Sequence, residues 1–211
     1  GTIGTGVFKI LKQRKSQIKK LYHIDINVKK TCDISEKRKK LLKIPGKNFT
    51  KDYKDIIRDK DIDVVIELIG GTGLANTIST EALKNGKHLV TANKALLAYK
   101  GNNLKKISSK NNLNIGYEAS VGGGIPIIRT IKESILINRI SSFCGILNGT
   151  CNYVLTLMSN RIEFSKAIKM AQKEGFAEAD PTLDINGKDT AHKVSVLSQT
   201  CFNINLNIDN I

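Results

Sequence analysis

Between residues 5 and 22 the apolar side chains Val7, Ile10, Leu11, Ile18 and Leu21 recur at helical intervals with lysines between them. This predicts an amphipathic helix directly behind the opening Gly-Thr-Ile-Gly. Alternation takes over at Ile24, Ile26 and Val28, which is the period of a strand, and residues 51–59 return to a short helical pattern. The nearly continuous apolar run of Val64, Val65, Ile66, Leu68 and Ile69 predicts a strand buried on both faces of a parallel sheet. Helix and strand then alternate: a helix over 76–86 ended by Gly86, a strand over 87–92, a helix over 94–111 and a strand over 113–119. Such alternation specifies an open α/β sheet with right-handed crossovers. At Glu118 the character changes. The glycine-rich "EASVGGGIP" reads as a joint, the apolar residues 140–147 as a long strand, and the remainder as helices. The expected organisation is therefore a Rossmann-type domain over 1–117 and an α+β domain over 118–211.

Composition narrows the class. The chain of 211 residues is 40% apolar and 25% charged, an ordinary balance for a globular protein. No apolar run reaches the roughly 18 residues that cross a bilayer, and the N-terminal residues lack the order of a signal peptide, so the expected location is the cytoplasm without a membrane partner. A formal net charge of +15 raises the question of a nucleic-acid partner. Lysines spread along the chain, an absence of Trp and 5% aromatic content leave few stacking platforms, and favour a solvated basic surface in a chain also rich in Asn and Ile. Cys32, Cys144, Cys151 and Cys201 show neither a CxxC pair nor zinc spacing, and are read as unpaired thiols.

Chemistry concentrates in a few stretches. In a dinucleotide-binding turn the second glycine admits the pyrophosphate and the third lets the helix pack on its strand; Gly1 and Gly4 stand at that spacing, immediately before a helix. On this alignment the first glycine and the first strand would lie upstream. The next strand end carries Asp33 beside Lys37 and Arg38, an acid suited to a ribose hydroxyl next to bases suited to a phosphate, so the cofactor could be NAD or NADP; a turn at Asp33 accounts for the same residues. Asn93 and Lys94 follow a buried strand, at the sheet edge where α/β proteins bind ligands, or else as a helix cap and a solvated lysine. Residues 174–193 crowd Glu174, Glu178, Asp180, Asp184 and Asp189 close to Lys193 in a chain with only 19 acids. Asp189 and Lys193, four apart, share a helix face. They form either a surface salt bridge or part of a pocket for a substrate ammonium with a proton-donating lysine. His88 and His192 have no partner at a telling spacing and are read as structural.

Taken in order, "GTIGTGV", "DVVIELIGG", "GKHLVTANKALLA", "EASVGGGIPIIR", "GILNGTCNYVL" and "GFAEADPTLDINGKDTAHK" resemble the homoserine dehydrogenase family, closest to its single-function form. The resemblance implies reduction of L-aspartate 4-semialdehyde to L-homoserine with NADH or NADPH, in the biosynthesis of threonine, methionine and isoleucine. It implies Lys193 as proton donor to the carbonyl oxygen and Lys94 between cofactor and substrate. Glu178 and Asp189, with Asp184 nearby, would hold the substrate. Gly1, Thr2, Ile3, Gly4, Gly70, Lys94 and Gly175 would line the cofactor, and Glu118, Val121, Gly123 and Ile125 would bind a monovalent cation, Na+, largely through carbonyls. A homodimer is the implied assembly. Measured against the family, the chain is expected to lack the first strand and a C-terminal part. The rivals are another Rossmann amino-acid or semialdehyde dehydrogenase, a basic nucleic-acid-binding module, and a catalytically dead remnant.

Overall fold

A computed structural model describes residues 1–211, which divide into two units: residues 1–93 with 103–116, and residues 94–102 with 117–211. In the first unit, helix α1 (Thr2–Tyr22) follows Gly1 and ends at His23, whose left-handed conformation (φ 56°) lets its N–H donate to the Lys19 carbonyl. The apolar stripe expected on α1 is there, but none of its residues is buried. A two-residue strand β1 (Thr31–Cys32) comes next, then α2 (Glu36–Leu41), started by the Ser35 side chain accepting from the Arg38 N–H, and β2 (Phe49–Thr50). β1 and β2 run parallel, with Thr31 opposite Phe49. The strand expected through Ile24, Ile26 and Val28 does not form. β2 offers two residues to pair with, so the ladder is confined to Thr31 and Cys32 however regular the alternation before them.

Beyond α3 (Lys54–Ile57), the strands β3 (Val64–Glu67), β4 (His88–Thr91) and β5 (Ile115–Gly116) make a parallel sheet in the order β3-β4-β5, crossed by α4 (Leu74–Lys84) and α5 (Lys94–Lys110). Residues 94–102 of α5 group with the second unit. The buried side of α4 is Ala75, Ile78, Ser79, Ala82 and Leu83, the i, i+3, i+4, i+7, i+8 set, and it packs against β3 and β4. Ile78 and Ala82 close a core with Ile57, Ile62 and Val65. Each fully buried Leu or Ile here contributes roughly 1.5–3 kcal/mol. The expectation that β3 is covered on both faces is corrected: Val64 and Ile66 remain 45% and 40% exposed while Val65 is buried, because α4 covers the Val65 face. Lys87, itself buried, donates its Nζ to the carbonyls of Asp59 and Ile62, which pins the turn leading into β3.

The second unit is helical: the start of α5, then α6 (Ile127–Ser134), α7 (Gly149–Ser159), α8 (Phe164–Lys173), α9 (Thr182–Ile185) and α10 (Lys188–Phe202). Its core joins Leu97 of α5, Val121, Ile128 and Ile131 of α6, and Val196 and Leu197 of α10. α7 and α8 meet through Val154, Ala167 and Ala171, small residues that let the helices approach closely. The strand expected over 140–147 is not present as a ladder. Ile140 and Leu147 pack on the core and Phe143 stacks on Phe202, but no extended neighbour in this unit supplies hydrogen bonds to pair with.

Candidate active site

The site in the second unit is built on the first turns of α10. Asp189 and Lys193 lie one turn apart, and Lys193 Nζ reaches Asp189 Oδ2 at 2.5 Å. The other oxygen, Oδ1, takes Lys94 Nζ at 2.7 Å. One carboxylate, 7% exposed, thus carries two ammonium groups, one on each oxygen. Burial pushes the Asp189 carboxyl up, but hydrogen bonds from Lys193, then Lys94, then Asn148 outweigh it and bring it down to about 2. Asp189 is therefore an anion at any working pH. Lys193 also donates to the Leu147 carbonyl at 2.6 Å, so two of its three N–H bonds are committed and the third is left for an acceptor. Lys94, the first residue of α5, is 40% exposed at its side chain.

The turn leading into α7 supplies the remaining framework. Asn148 caps that helix: its Oδ1 accepts from the Cys151 N–H at 2.7 Å. Its Nδ2 donates to Asp184 Oδ1 at 2.7 Å and to Asp189 Oδ2 at 3.0 Å. Thr150 Oγ1 lies 3.0 Å from Asp184 Oδ2 and 2.6 Å from the Phe176 carbonyl. The Cys151 thiol donates to the Asp184 carbonyl at 3.2 Å, and burial, followed by the charges of Asp184 and Asp189, pushes it up; it is an inert thiol. His192 stands edge-on to Tyr99 beside the site, and burial followed by the Lys94 charge pushes its ring nitrogen below the ordinary imidazole range.

Four of the expected residues, Lys94, Asp184, Asp189 and Lys193, are thus brought into one hydrogen-bonded cluster. Glu178 is not part of it: it is exposed on the loop between α8 and α9, where its carbonyl accepts from Gln172 Nε2. Gly175 sits at the start of the same loop in the left-handed region (φ 79°). The Asp189 expected to hold substrate has its oxygens engaged by lysines, whereas the Glu178 carboxylate is open. At the interdomain joint, the Glu118 carboxylate accepts from the N–H groups of Ile128 and Arg129 and caps α6, while its carbonyl faces the Val121 N–H. Gly122 and Gly123 turn the chain through positive φ (77° and 58°) before Ile125.

In the first unit, the N–H groups of Thr2, Ile3 and Gly4 open α1, a 21-residue helix whose positive end suits an anion. Asp33 pairs with Arg38 at 2.9 Å and accepts from the Ser35 N–H; burial raises its carboxyl, but these two partners bring it below the ordinary range. Gly70 and Gly71 follow β3 with φ of 79° and 69°. They are held by Glu67, 2% exposed, which accepts from the N–H groups of Ile69 and Gly70 and from the Thr91 hydroxyl. Thr91 in turn accepts from the Asn93 N–H, and Asn93 Nδ2 donates to the Gly71 carbonyl. His88 Nδ1 accepts from the Asn114 N–H at 3.0 Å. All four cysteines are free.

Neither Asn148 nor Glu67 stands out in the sequence. An Asn before Gly-Thr is a helix-cap signal, but its link to carboxylates 36 and 41 residues away is visible only in three dimensions.

Comparison with known proteins bears out the resemblance carried by the motifs. Residues 1–118 match the family described as homoserine dehydrogenase, NAD binding domain, and residues 126–211 the family described as homoserine dehydrogenase. The homoserine dehydrogenase of Neisseria gonorrhoeae is 41% identical over 98% of this chain and 48% of its own length. That of Bacillus subtilis is 38% identical over 100% and 49%. That of Methanocaldococcus jannaschii is 38% identical over 100% and 69%. Among solved structures, a homoserine dehydrogenase from Thiobacillus denitrificans superposes with a TM-score of 0.89 at 38% identity, covering 99% of this chain and 48% of that one. One from S. aureus superposes at 0.85 and 36% identity, covering 100% and 50%. The chain spans about half the length of the bacterial relatives it matches.

Proposed function

Because the chain belongs to the homoserine dehydrogenase family, we propose that this protein reduces L-aspartate 4-semialdehyde reversibly to L-homoserine with NADH or NADPH. The observation that supports this most directly is the Lys94–Asp189–Lys193 arrangement. The bound nicotinamide supplies the hydride. As hydride adds to the aldehyde carbon, negative charge builds on oxygen, and a fixed ammonium both stabilises that charge and can release a proton to it. Lys193 fits this role: it is oriented by Asp189 and the Leu147 carbonyl and keeps one N–H for the substrate. Lys94, more exposed and held by the opposite oxygen of Asp189, would bridge cofactor and substrate. Glu178, exposed on its loop, is the carboxylate available to a substrate ammonium, with Asp184 and Asp189 held side by side by Asn148.

Gly1, Thr2, Ile3 and Gly4 at the start of α1 would hold the pyrophosphate, Gly70 would border the nicotinamide, and Gly175 would be a further cofactor contact. Asp33 and Arg38, paired to each other, offer an acceptor for a ribose hydroxyl and a cation for a phosphate, consistent with either cofactor. The carbonyls of Glu118, Val121, Gly123 and Ile125 would hold a monovalent cation such as Na+, while the Glu118 carboxylate caps α6. Residues 1–117 would serve as the nucleotide-binding domain and 118–211 as the catalytic and dimerisation domain. A homodimer in the cytoplasm, acting in threonine, methionine and isoleucine biosynthesis, belongs to the same reading. The test is oxidation of L-homoserine by the full-length protein, followed through formation of NADH or NADPH. Turnover of another amino acid or semialdehyde, with none of L-homoserine, would refute it.

A further inference from the structure

We propose that Asn148 is a positioning residue for this reaction: its neutral amide holds the carboxylates of Asp184 and Asp189 side by side, and so fixes where Asp189 carries Lys94 and Lys193. The inference rests on the reaction proposed above and deepens it.

The amide has one orientation. Its oxygen is taken by the Cys151 N–H, as the helix cap of α7 requires, so the NH2 group must face away from the helix. The two N–H bonds of that group then meet two different acceptors, Asp184 Oδ1 at 2.7 Å and Asp189 Oδ2 at 3.0 Å. Asn148 is 5% exposed, so water does not compete for these bonds. The buried carboxylate of Asp189 and the half-buried one of Asp184, both within reach of one nitrogen, repel each other unless a donor lies between them. A cation there would compete with Lys94 and Lys193 for the charge of Asp189; an amide donates to both anions and adds no charge. Oδ2 of Asp189 is the atom that Lys193 also holds, so displacing it moves the lysine directly.

The groups facing Asp189 are Lys94 from α5, Asn148 and the Cys151 thiol from α7, Asp184 from α9, and Lys193 and His192 from its own helix α10. Among them, Asn148 is the one neutral amide, and its removal weakens the hold on the ionised form.

The experiment compares Asn148→Ser and Asn148→Ala in the full-length protein. Serine keeps a cap oxygen for the Cys151 N–H but has one shorter donor in place of two. For Asn148→Ser we expect a Tm within about 2–4 °C of wild type and unchanged NADPH binding. We expect kcat for L-homoserine oxidation roughly 10- to 100-fold lower, as misplacement of a reacting group produces. The Asp189 carboxyl, followed by carbon NMR, should titrate higher than in wild type by about half a pH unit or more. Asn148→Ala should lose stability as well, with the same titration shift. Wild-type kcat together with an unmoved Asp189 titration in Asn148→Ser overturns the proposal. So does activity that falls only in step with stability while Asp189 titrates as in wild type. If the wild-type protein does not oxidise L-homoserine, the reaction assignment fails, and the Asp189 titration still decides whether Asn148 acts as the clamp.

Discussion

Replacing Asp189 by Asn tests the centre of the site through stability alone, without reference to any substrate. The substitution keeps size and shape but removes the charge between Lys94 at 2.7 Å and Lys193 at 2.5 Å. Breaking a buried ion pair by neutralising one partner costs about 3–5 kcal/mol. The lower end of that range, about 3 kcal/mol, applies here because Lys94 reaches solvent and an amide oxygen can still accept from one lysine. The pH dependence is more specific than the size. The carboxyl of Asp189 is depressed from the ordinary 3.8 to about 2 on folding, so folding favours the anion. The stability this contributes is fully present above about pH 4 and is lost as pH falls towards about 2. At about 1.4 kcal/mol per pH unit, it amounts to roughly 2 kcal/mol. Asparagine does not titrate. The wild-type advantage over Asp189→Asn should therefore be largest near neutral pH and shrink by roughly 2 kcal/mol near pH 2, with the other carboxylates cancelling between the two proteins. Urea unfolding at a series of pH values measures it, as a difference in midpoint of roughly 1 M at neutral pH for the usual range of m-values. A stability difference that stays constant from neutral to acid pH would refute the argument that the lysines hold Asp189 ionised.

Three further outcomes are expected. Lys193→Met in the full-length protein should lower kcat by about 100- to 10,000-fold while NADPH binding persists, as removal of a general acid does; near-normal turnover would exclude Lys193 as proton donor. Glu67→Ala leaves the Ile69 and Gly70 N–H groups and the Thr91 hydroxyl without their buried acceptor, and should cost about 2–4 kcal/mol by chemical unfolding; a loss below about 1 kcal/mol would show that water replaces the carboxylate there. Gly70→Ala should cost about 1–2 kcal/mol through backbone strain alone, since φ is 79° and nothing lies within 4 Å of the added methyl, and Gly70→Asn should cost less; equal stability of Gly70→Ala and wild type would contradict the left-handed conformation.

Periodicity sufficed for much of the architecture. The helix expected over 76–86 becomes α4, and the apolar runs ending at Glu67 and Thr91 become adjacent parallel strands. Those elements are local in origin, since a 3.6-residue or two-residue repeat is written into neighbouring positions. The misread strands share one cause. Alternation at Ile24, Ile26 and Val28, and the apolar residues 140–147, have the character of strands, but a strand exists only where a second one pairs with it, and that partner is not local information.

The site divides along the same line. Asp189 and Lys193 were legible together because one helical turn places them on one face, and the acid-rich stretch around them marked the region. That Lys94, 95 positions earlier, takes the other oxygen of Asp189, and that Asn148 spans Asp184 and Asp189, are results of packing α5, α7, α9 and α10 around one buried carboxylate. Residue type and spacing thus determined which chemistry this chain carries. Tertiary structure decided which oxygen each donor meets and which carboxylate stays open. Hydrogen bonds between segments this far apart depend on angstrom-scale approach, which sequence order does not encode.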